Sequence, residues 1–431
     1  MRKTFLLLYL AMTAATIYSQ DSKSFTGSWE GILNAGAELR LVFHIKANGD
    51  GSLSASADSP DQSAYGLKCD TTFVSAEGIT IEMHKLNASF TGKLINDSTI
   101  DGTFTQGVGL PLILKRKNEN SVQVTAPVQT APSYYTITDI SVKLKDVTLS
   151  GTLFQPTANK KPPVVLIIAG SGPTDKNGNS MALPGKNNSL FMLADSLAQH
   201  GIASLRYDKR GIGKSKSDKP FTESDLTFND ISNDAKAMYE WLKAQGYKEI
   251  FIAGHSEGSL IGMLIAGQVE PKGFISIAGA GRKASDILKE QTKGQYSPEL
   301  KTEFDNAIDS LEQGLTVTKV NPALMNLLRP SIQPYMKSWL PLDPKKLVSE
   351  LKCKILVLQG TKDLQIKEED AQNIYKAAKK ADLVIIKNMN HVLKEVVSDN
   401  KKDNADAYSN PDLPLIGLFI TSIVNFIIPT R

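Results

Sequence analysis

The chain has 431 residues, 41% of them hydrophobic and 22% charged, an ordinary globular composition that excludes disordered and collagen-like classes. A chain of this length is expected to form roughly two or three domains with at least one large core. The formal net charge of +4 is too small to indicate binding to nucleic acid or to an anionic membrane.

The first residues have the pattern of an export signal. Arg2 and Lys3 give a basic start, an apolar run spans residues 4–12, and small residues lead to Ser19. The apolar run is shorter than the roughly 20 residues that cross a bilayer, and no lipidatable cysteine follows. We therefore expect residues 1–19 to be a signal peptide, no stable membrane anchor after its removal, and a periplasmic or secreted protein.

Residues 25–116 form a series of short runs in which apolar residues alternate with polar ones. Glu38–Ile45 and Gly78–Met83 are examples, and turn residues such as those at 48–51 separate the runs. This pattern predicts a small antiparallel β domain, a barrel or a sandwich. Residues 117–133 are polar, contain two prolines and show little periodicity, which predicts an interdomain linker.

From residue 134 to 431 strand and helix patterns alternate, which predicts a mainly parallel sheet covered by helices on both faces. Pro163–Ala169 is a continuous apolar run, as expected for a strand that is buried on both sides. Leu190–His200 has a helical pattern, and Ile202–Tyr207 is the next strand candidate. Later strand candidates are Gly273–Ala278, Lys354–Leu358 and Leu383–Ile386, before a closing helix at Leu415–Ile428.

The chain has only two cysteines, Cys69 and Cys353, which fall in different predicted domains. A disulfide framework is therefore not expected. Neither cysteine has metal-ligating neighbours, and the sequence contains no His-x-x-His or Cys-x-x-Cys pair. We predict no metal and no cofactor.

A hydrophobic strand at residues 251–253 runs directly into Gly254-His255-Ser256-Glu257-Gly258, and a helical segment follows. A Gly-x-Ser-x-Gly pattern arises by chance roughly one time in ten in a chain of this length. Between a strand and a helix it predicts a nucleophile elbow, a strained turn that exposes the hydroxyl of Ser256. The small residues Gly254 and Gly258 allow the strand and the helix to approach closely.

Acyl transfer also needs two N–H donors directed at the developing oxyanion. The backbone N–H of Glu257, directly after the serine, is one candidate. The other is expected in the glycine-rich loop after the strand that ends near Ala169, where we assign Ser171, with Gly172 as the neighbouring alternative. An ordinary glycine turn is the competing interpretation of this loop.

Residues 208–215, Asp-Lys-Arg-Gly-Ile-Gly-Lys-Ser, resemble the end of a phosphate-binding P-loop. That motif requires a glycine where Asp208 stands, so we interpret the segment as a turn after a strand, near the site but not a nucleotide cradle.

Strand and helix alternation stops at about residues 282–347. Ser297 and Pro298 mark a helix start, and Phe304 and Ile308 belong to its apolar stripe. An insertion at this place is expected to form a helical lid over an apolar pocket. Additional core helices without a role in substrate binding are the alternative.

The base must be one of five histidines, His44, His84, His200, His255 and His391. The first two lie in the β domain, where we expect strand residues, and His200 ends a helix. His255 is adjacent to Ser256 in a strand, so the two side chains point to opposite faces. His391, in a loop after a strand, is therefore the predicted base.

The acid is expected between Ser256 and His391, at the carboxyl end of another strand. Asp363 follows an apolar strand and a glycine turn and fits this position. Asp382 precedes its strand and is expected at the opposite edge of the sheet, and Asp343 falls in the predicted lid.

Over about residues 135–431 these motifs, in this order, resemble the α/β-hydrolase superfamily. Within it the chain resembles exported bacterial carboxylesterases with an N-terminal β domain, close to serine-aminopeptidase-like hydrolases. Ala169 is a departure, because many members have histidine there. The resemblance implies an α/β-hydrolase fold with a Ser256, His391 and Asp363 triad. We recognise no family for the β domain, for which carbohydrate binding, covering of the active site and dimerisation all remain open.

The predicted function is cleavage of a small carboxylic ester through an acyl-serine intermediate, and the apolar lid favours short to medium acyl or aryl esters. A serine peptidase is the alternative, with Glu257, Glu303 or Asp305 as anchors for a peptide amine. A non-catalytic binding protein is the third reading. Epoxide hydrolases and dehalogenases of this fold use a carboxylate nucleophile, so Ser256 argues against them. The oligomeric state is not predicted.

Overall fold

The computed structural model describes residues 22–34, 38–59, 64–117, 134–180, 185–218 and 222–429. The predicted signal peptide, residues 1–19, lies outside these ranges. The chain divides into two compact units, Met1–Pro127 and Val128–Arg431. In the described part of the chain no helix has the length and apolar character needed to cross a membrane.

The N-terminal unit is a curled sheet of nine strands, with antiparallel pairing throughout and the order β4-β3-β2-β1-β9-β8-β7-β6-β5. The sheet curls until β3 and β5 approach each other, where the N–H of Cys69 donates to Ala55 O at 3.3 Å. The predicted antiparallel β domain is therefore confirmed. The strands are β1 (Gly27–Asn34), β2 (Glu38–Ala47), β3 (Leu53–Ser59), β4 (Ala64–Lys68), β5 (Thr71–Ser75), β6 (Gly78–Met83), β7 (Ala88–Asn96), β8 (Thr99–Gln106) and β9 (Val108–Arg116).

Alternating residues of these strands form one core. Phe43 stacks on Phe90 with ring centroids 5.4 Å apart, and the Arg116 guanidinium lies 4.1 Å from the centroid of the buried Trp29 ring. The expectation for His84 is wrong, because this residue begins a 3-10 turn (His84–Leu86) after β6.

The C-terminal unit has a second nine-stranded sheet with the order β10-β11-β13-β12-β15-β16-β17-β18, and β14 pairs with β11. From β13 to β18 along this order all pairs are parallel, whereas β10, β11 and β13 pair antiparallel. This is the α/β-hydrolase fold that the sequence predicts. The strands are β10 (Tyr135–Lys143), β11 (Val147–Pro156), β12 (Val164–Ile168), β13 (Ala203–Tyr207), β14 (Lys216–Ser217), β15 (Ile250–His255), β16 (Gly273–Ile277), β17 (Lys354–Gly360) and β18 (Ala381–Ile386).

Helices cover both faces of this sheet. The central strand β12 is buried at every position, with Leu166 in the core under one helical layer and Val165 and Ile167 in the core under the other. Burial on both sides explains the continuous apolar run in the sequence. The helices are α1 (Ser189–Gln199), α2 (Phe228–Ala244), α3 (Glu257–Val269), α4 (Ala284–Gln291), α5 (Pro298–Glu312), α6 (Met325–Leu328), α7 (Gln333–Trp339), α8 (Pro344–Glu350), α9 (Glu368–Ala377), α10 (Lys401–Asp406) and α11 (Gly417–Ile427).

The segment predicted as a lid forms helices α4 to α8. Helices α4 to α7 share a small core of their own around Phe304 and Met336. Helix α8 instead packs into the main core through Val348. The insertion is joined to α2, where the ring of Phe228 stacks on Trp339 at 6.2 Å.

Candidate active site

Ser256 lies in the turn between β15 and α3, with φ 55° and ψ −122°. This backbone conformation is rare for a residue with a side chain and stores strain. The turn is possible because its flanking residues are glycines. A Cβ on Gly254 would collide with the carbonyl of Gly258, and a Cβ on Gly258 would collide with that of Ile168. The sequence therefore builds the strained turn that exposes the serine hydroxyl.

His391 and Asp363 lie in the loops that follow β18 and β17. His391 Nδ1 donates to Asp363 Oδ2 at 2.8 Å, and the two side chains are only 5% and 0% exposed. Asp363 Oδ1 accepts from the backbone N–H groups of Gln365 and Ile366 at 2.8 and 3.0 Å. Burial opposes ionisation, but His391 and these hydrogen bonds prevail and lower the pKa of Asp363, which keeps it a carboxylate.

The other two carboxylates have different surroundings. Asp382 pairs with Leu356 near the start of β18, at the far end of the strand from His391. Asp343 caps helix α8 by accepting from the Lys345 N–H at 2.9 Å. Of the three candidates, Asp363 is the one that is bonded to His391.

Other bonds hold the His391 loop in place. The Ser189 hydroxyl donates to Val392 O at 2.5 Å, and the buried ammonium of Lys394 donates to Leu413 O. Burial lowers the pKa of Lys394 to about 8, with Asp412 opposing the effect.

Ser256 and His391 lie at the same edge of the sheet, and the side chain of His255 links the two segments. His255 Nε2 donates to the backbone carbonyl of His391 at 2.8 Å, and the two rings lie 4.9 Å apart. Within the described ranges the Ser256 hydroxyl makes no hydrogen bond. Catalytic hydrogen bonds are often long in unliganded enzymes and tighten when substrate binds.

Sequence reasoning missed the part that His255 plays. As expected, the His255 side chain makes no hydrogen bond to Ser256. It instead supports the loop that carries His391. Burial lowers the pKa of His255 to about 4, and His391 adds to the effect, so His255 is neutral at neutral pH. Adjacency to Ser256 was the only signal in the sequence.

The expected oxyanion donors belong to the first residue of α3 and to the loop after β12. Glu257 is the first residue of α3, where a backbone N–H has no partner within the helix. In the described part of the chain the N–H groups of Glu257, Ser171 and Gly172 have no acceptor. A Cβ built on Gly170 would lie 3.2 Å from Ser256 Cβ, so the glycine-rich loop lies directly against the turn of Ser256. The geometry leaves both Ser171 and Gly172 open as the second donor.

A buried polar cluster beside this loop was not anticipated. Lys209 Nζ donates to Gly170 O at 2.6 Å and lies 4.0 Å from Glu257 Oε1. Burial, together with the nearby Glu257 carboxylate, raises the pKa of Tyr335 on α7 well above its ordinary value. Burial lowers the pKa of Lys209, while Glu257 opposes that change. One insertion helix thus lies near Glu257, the residue that follows Ser256.

The turn at 208–215 is tied together by its own polar groups. The Asp208 carboxylate accepts the N–H groups of Lys176 at 2.9 Å and Lys214 at 3.1 Å. Arg210 binds Asp234 of α2 through two hydrogen bonds of 2.7 and 2.6 Å. These bonds fix the turn, and the Asp208 carboxylate itself accepts the backbone N–H of Lys214.

Comparisons with known proteins find similar sequences and similar folds. A family model described as "Serine aminopeptidase, S33" matches residues 187–320. The chain is similar to Esterase EstD of Thermotoga maritima, with 24% identity over 259 residues, which cover 59% of this chain and 60% of that protein. The chain therefore spans less than two thirds of the length of this relative.

Solved structures of similar fold include two esterases. Est1E from Butyrivibrio proteoclasticus, with ferulic acid bound, has a TM-score of 0.43 and 20% identity over 63% of this chain and 96% of its own. The Pyrococcus furiosus esterase Pf2001 has a TM-score of 0.42 and 17% identity over 60% of this chain and 84% of its own.

Proposed function

We propose that the protein is a serine hydrolase that cleaves carboxylic esters through an acyl-serine intermediate. The observation that carries the proposal is the buried hydrogen bond of 2.8 Å between His391 and Asp363, at the same sheet edge as the strained turn of Ser256. Similarity to Esterase EstD supports the reaction class.

In the proposed mechanism the Ser256 hydroxyl attacks the ester carbonyl, and His391 Nε2 accepts its proton. Asp363 holds the His391 ring through Nδ1, which leaves Nε2 for the serine and stabilises the imidazolium that forms. His391 then protonates the leaving alcohol. A water molecule, deprotonated by His391, attacks the acyl-serine and releases the acid.

The negative charge of each tetrahedral intermediate needs donors that are in place before the reaction. We assign this role to the N–H groups of Glu257 and Ser171, with Gly172 as the alternative to Ser171. Their lack of other acceptors in the described ranges supports the assignment. The N-terminus of α3 adds a favourable partial positive charge at the same place.

The choice of esters over peptides rests on the carboxylates considered as anchors for a peptide amine. Glu257 is buried and pairs with the ammonium of Lys209 at 4.0 Å. Asp305 binds Lys301 at 2.5 Å, and Glu303 accepts from the Asn321 amide at 3.1 Å. An amine that used any of these carboxylates would have to displace a partner. We therefore place the aminopeptidase reading second.

The test compares hydrolysis of p-nitrophenyl acetate and butyrate with hydrolysis of aminoacyl-arylamides by the purified protein. We expect turnover of the esters and little release of arylamine. Efficient amide cleavage without ester turnover would favour the peptidase. Hydrolysis of neither substrate, together with no labelling by a fluorophosphonate, would favour the non-catalytic reading.

A further inference from the structure

Lys209 belongs to a motif that the proposed triad does not use. The residue is 6% exposed, and its ammonium donates to Gly170 O at 2.6 Å. That oxygen belongs to the peptide unit whose N–H is the N–H of Ser171. The buried ammonium of Lys209 is therefore bonded to the other end of the group assigned as oxyanion donor.

A trans peptide directs its carbonyl and its N–H to opposite sides, and the described chain has no cis peptide bond. Because Lys209 fixes the direction of the Gly170 carbonyl, it also fixes the direction of the Ser171 N–H. A bond from a charged donor is stronger than a neutral one and polarises the group that it joins. The bond to Lys209 thus makes the Ser171 N–H a better donor.

The position of Lys209 is itself well determined. Its neighbour Asp208 accepts two backbone N–H groups, and its neighbour Arg210 is held by Asp234. Glu257 provides a counter-charge 4.0 Å from the ammonium. A buried ammonium costs free energy that an aliphatic side chain of similar size would not. If this side chain only filled space in the core, an aliphatic residue would serve as well as Lys209.

We propose that Lys209 is a positioning residue of the oxyanion hole, which orients and polarises the Gly170–Ser171 peptide. This proposal rests on the proposed function, because it presumes an oxyanion formed at Ser256. It also selects Ser171 over Gly172 as the second donor. The carbonyl of the next peptide, at Ser171, accepts only the neutral hydroxyl of Thr174, at 2.7 Å, among the described residues.

The test uses Lys209→Met, which removes the charge and the hydrogen bond but keeps a long apolar side chain. We expect kcat for p-nitrophenyl acetate to fall about 30- to 100-fold, somewhat less than the loss of a whole oxyanion donor, with KM changed less than about 3-fold. The inhibition constant of phenylboronic acid, which forms a tetrahedral serine adduct, should rise by a similar factor. A residue that only stabilised the fold would not change kcat and this inhibition constant by similar factors.

Two control variants sharpen the test. Lys176→Met removes another largely buried ammonium of this region, which pairs with Asp208 at 3.7 Å, and should change kcat less than about 3-fold. Thr174→Val removes the hydrogen bond to the next peptide and should have a similarly small effect. Loss of activity in Thr174→Val but not in Lys209→Met would assign the donor to Gly172 and overturn the proposal.

Removal of Lys209 leaves Glu257 without its counter-charge, so a folding defect is possible in the single variant. The double variant Lys209→Met/Glu257→Gln has no buried unpaired charge. Its kcat is compared with that of Glu257→Gln, which repeats the test of Lys209. The same fall in kcat is expected. A change below about 3-fold in both comparisons would overturn the role of Lys209 while the proposed function stands.

The rate at which a fluorophosphonate labels Ser256 separates the two proposals. If the wild-type protein is labelled but hydrolyses no ester, ester hydrolysis fails as the function, and the ratio of labelling rates between wild type and Lys209→Met decides the role of Lys209. If the wild-type protein is neither labelled nor active, both proposals are overturned.

Discussion

The N-terminal unit contains its own serine, histidine and aspartate in contact. Ser28 is hydrogen bonded to His44 Nδ1 at 2.9 Å, and His44 Nε2 is bonded to Asp58 at 2.9 Å. The side chains of His44 and Asp58 are 35% and 18% exposed. The corresponding exposures of His391 and Asp363 are 5% and 0%. The two regions share residue types but differ in environment.

The two regions also differ in the backbone that carries the serine. Ser28 lies in a regular strand and is the cross-strand partner of His44, so simple sheet register brings them together. Ser256 occupies a strained turn with N–H donors at the start of a helix. Backbone strain, burial and N–H groups at a helix start therefore distinguish the candidate site from a polar row on a sheet.

The largest contrast is expected for the two serines. Ser256→Ala should lower kcat for p-nitrophenyl acetate by about a million-fold, because no nucleophile remains. Ser28→Ala should leave kcat within about 2-fold. A variant at Ser256 with near-normal turnover, or a large loss at Ser28, would reverse the comparison.

The same contrast in kcat is expected for the two aspartates, Asp363 and Asp58. Asp363→Asn should lower kcat by about ten-thousand-fold, because an amide cannot hold the His391 tautomer or stabilise the imidazolium. Asp58→Asn should have little effect in the same ester assay. Equal, small effects would show that the His391 and Asp363 pair is structural.

Stability measurements test the strain at the elbow. Gly258→Ala should lower the free energy of unfolding by about 3 kcal/mol or more, because its Cβ would collide with the carbonyls of Ile168 and Ala169. Gly49→Ala, in a turn of the N-terminal unit with open space around it, should change it by less than about 0.5 kcal/mol. Denaturant unfolding of both variants makes the comparison, and a tolerated Gly258→Ala would argue against the tight turn.

The pH dependence of stability tests the burial of His255. The folded-state pKa of about 4 is below the ordinary value of 6.5, so the unfolded state binds more protons between these values. Stability is thus fully present above pH 6.5 and should fall by about 3 kcal/mol as the pH drops through that interval to 4. His255→Gln should reduce this slope, whereas His84→Gln, at an exposed side chain, should keep it. A slope unchanged by His255→Gln would place the effect elsewhere.

Local patterns in the sequence are enough to predict the three residues of the candidate triad. The elbow at Ser256 has a strict spacing, and Asp363 and His391 follow apolar strands whose carboxyl ends meet at one edge of a parallel sheet. The run at Pro163–Ala169 predicted a strand buried on both faces, because such burial needs continuous apolar residues.

Contacts between distant segments could not be predicted in this way. Lys209 meets Gly170 through the approach of two loops, and Tyr335 meets Glu257 through the packing of the insertion. The row at Ser28, His44 and Asp58 depends on a register between strands that alternation alone does not specify. The packing of helix α8 into the main core, and not into the core of the insertion, likewise depends on contacts between distant segments.

The most direct test of the account is the site of covalent labelling. We expect a fluorophosphonate to add one phosphonyl group to Ser256, mapped by mass spectrometry of the peptides, and labelling to be lost in His391→Ala. An adduct at Ser28 or at another residue, with Ser256 unmodified, would contradict the account.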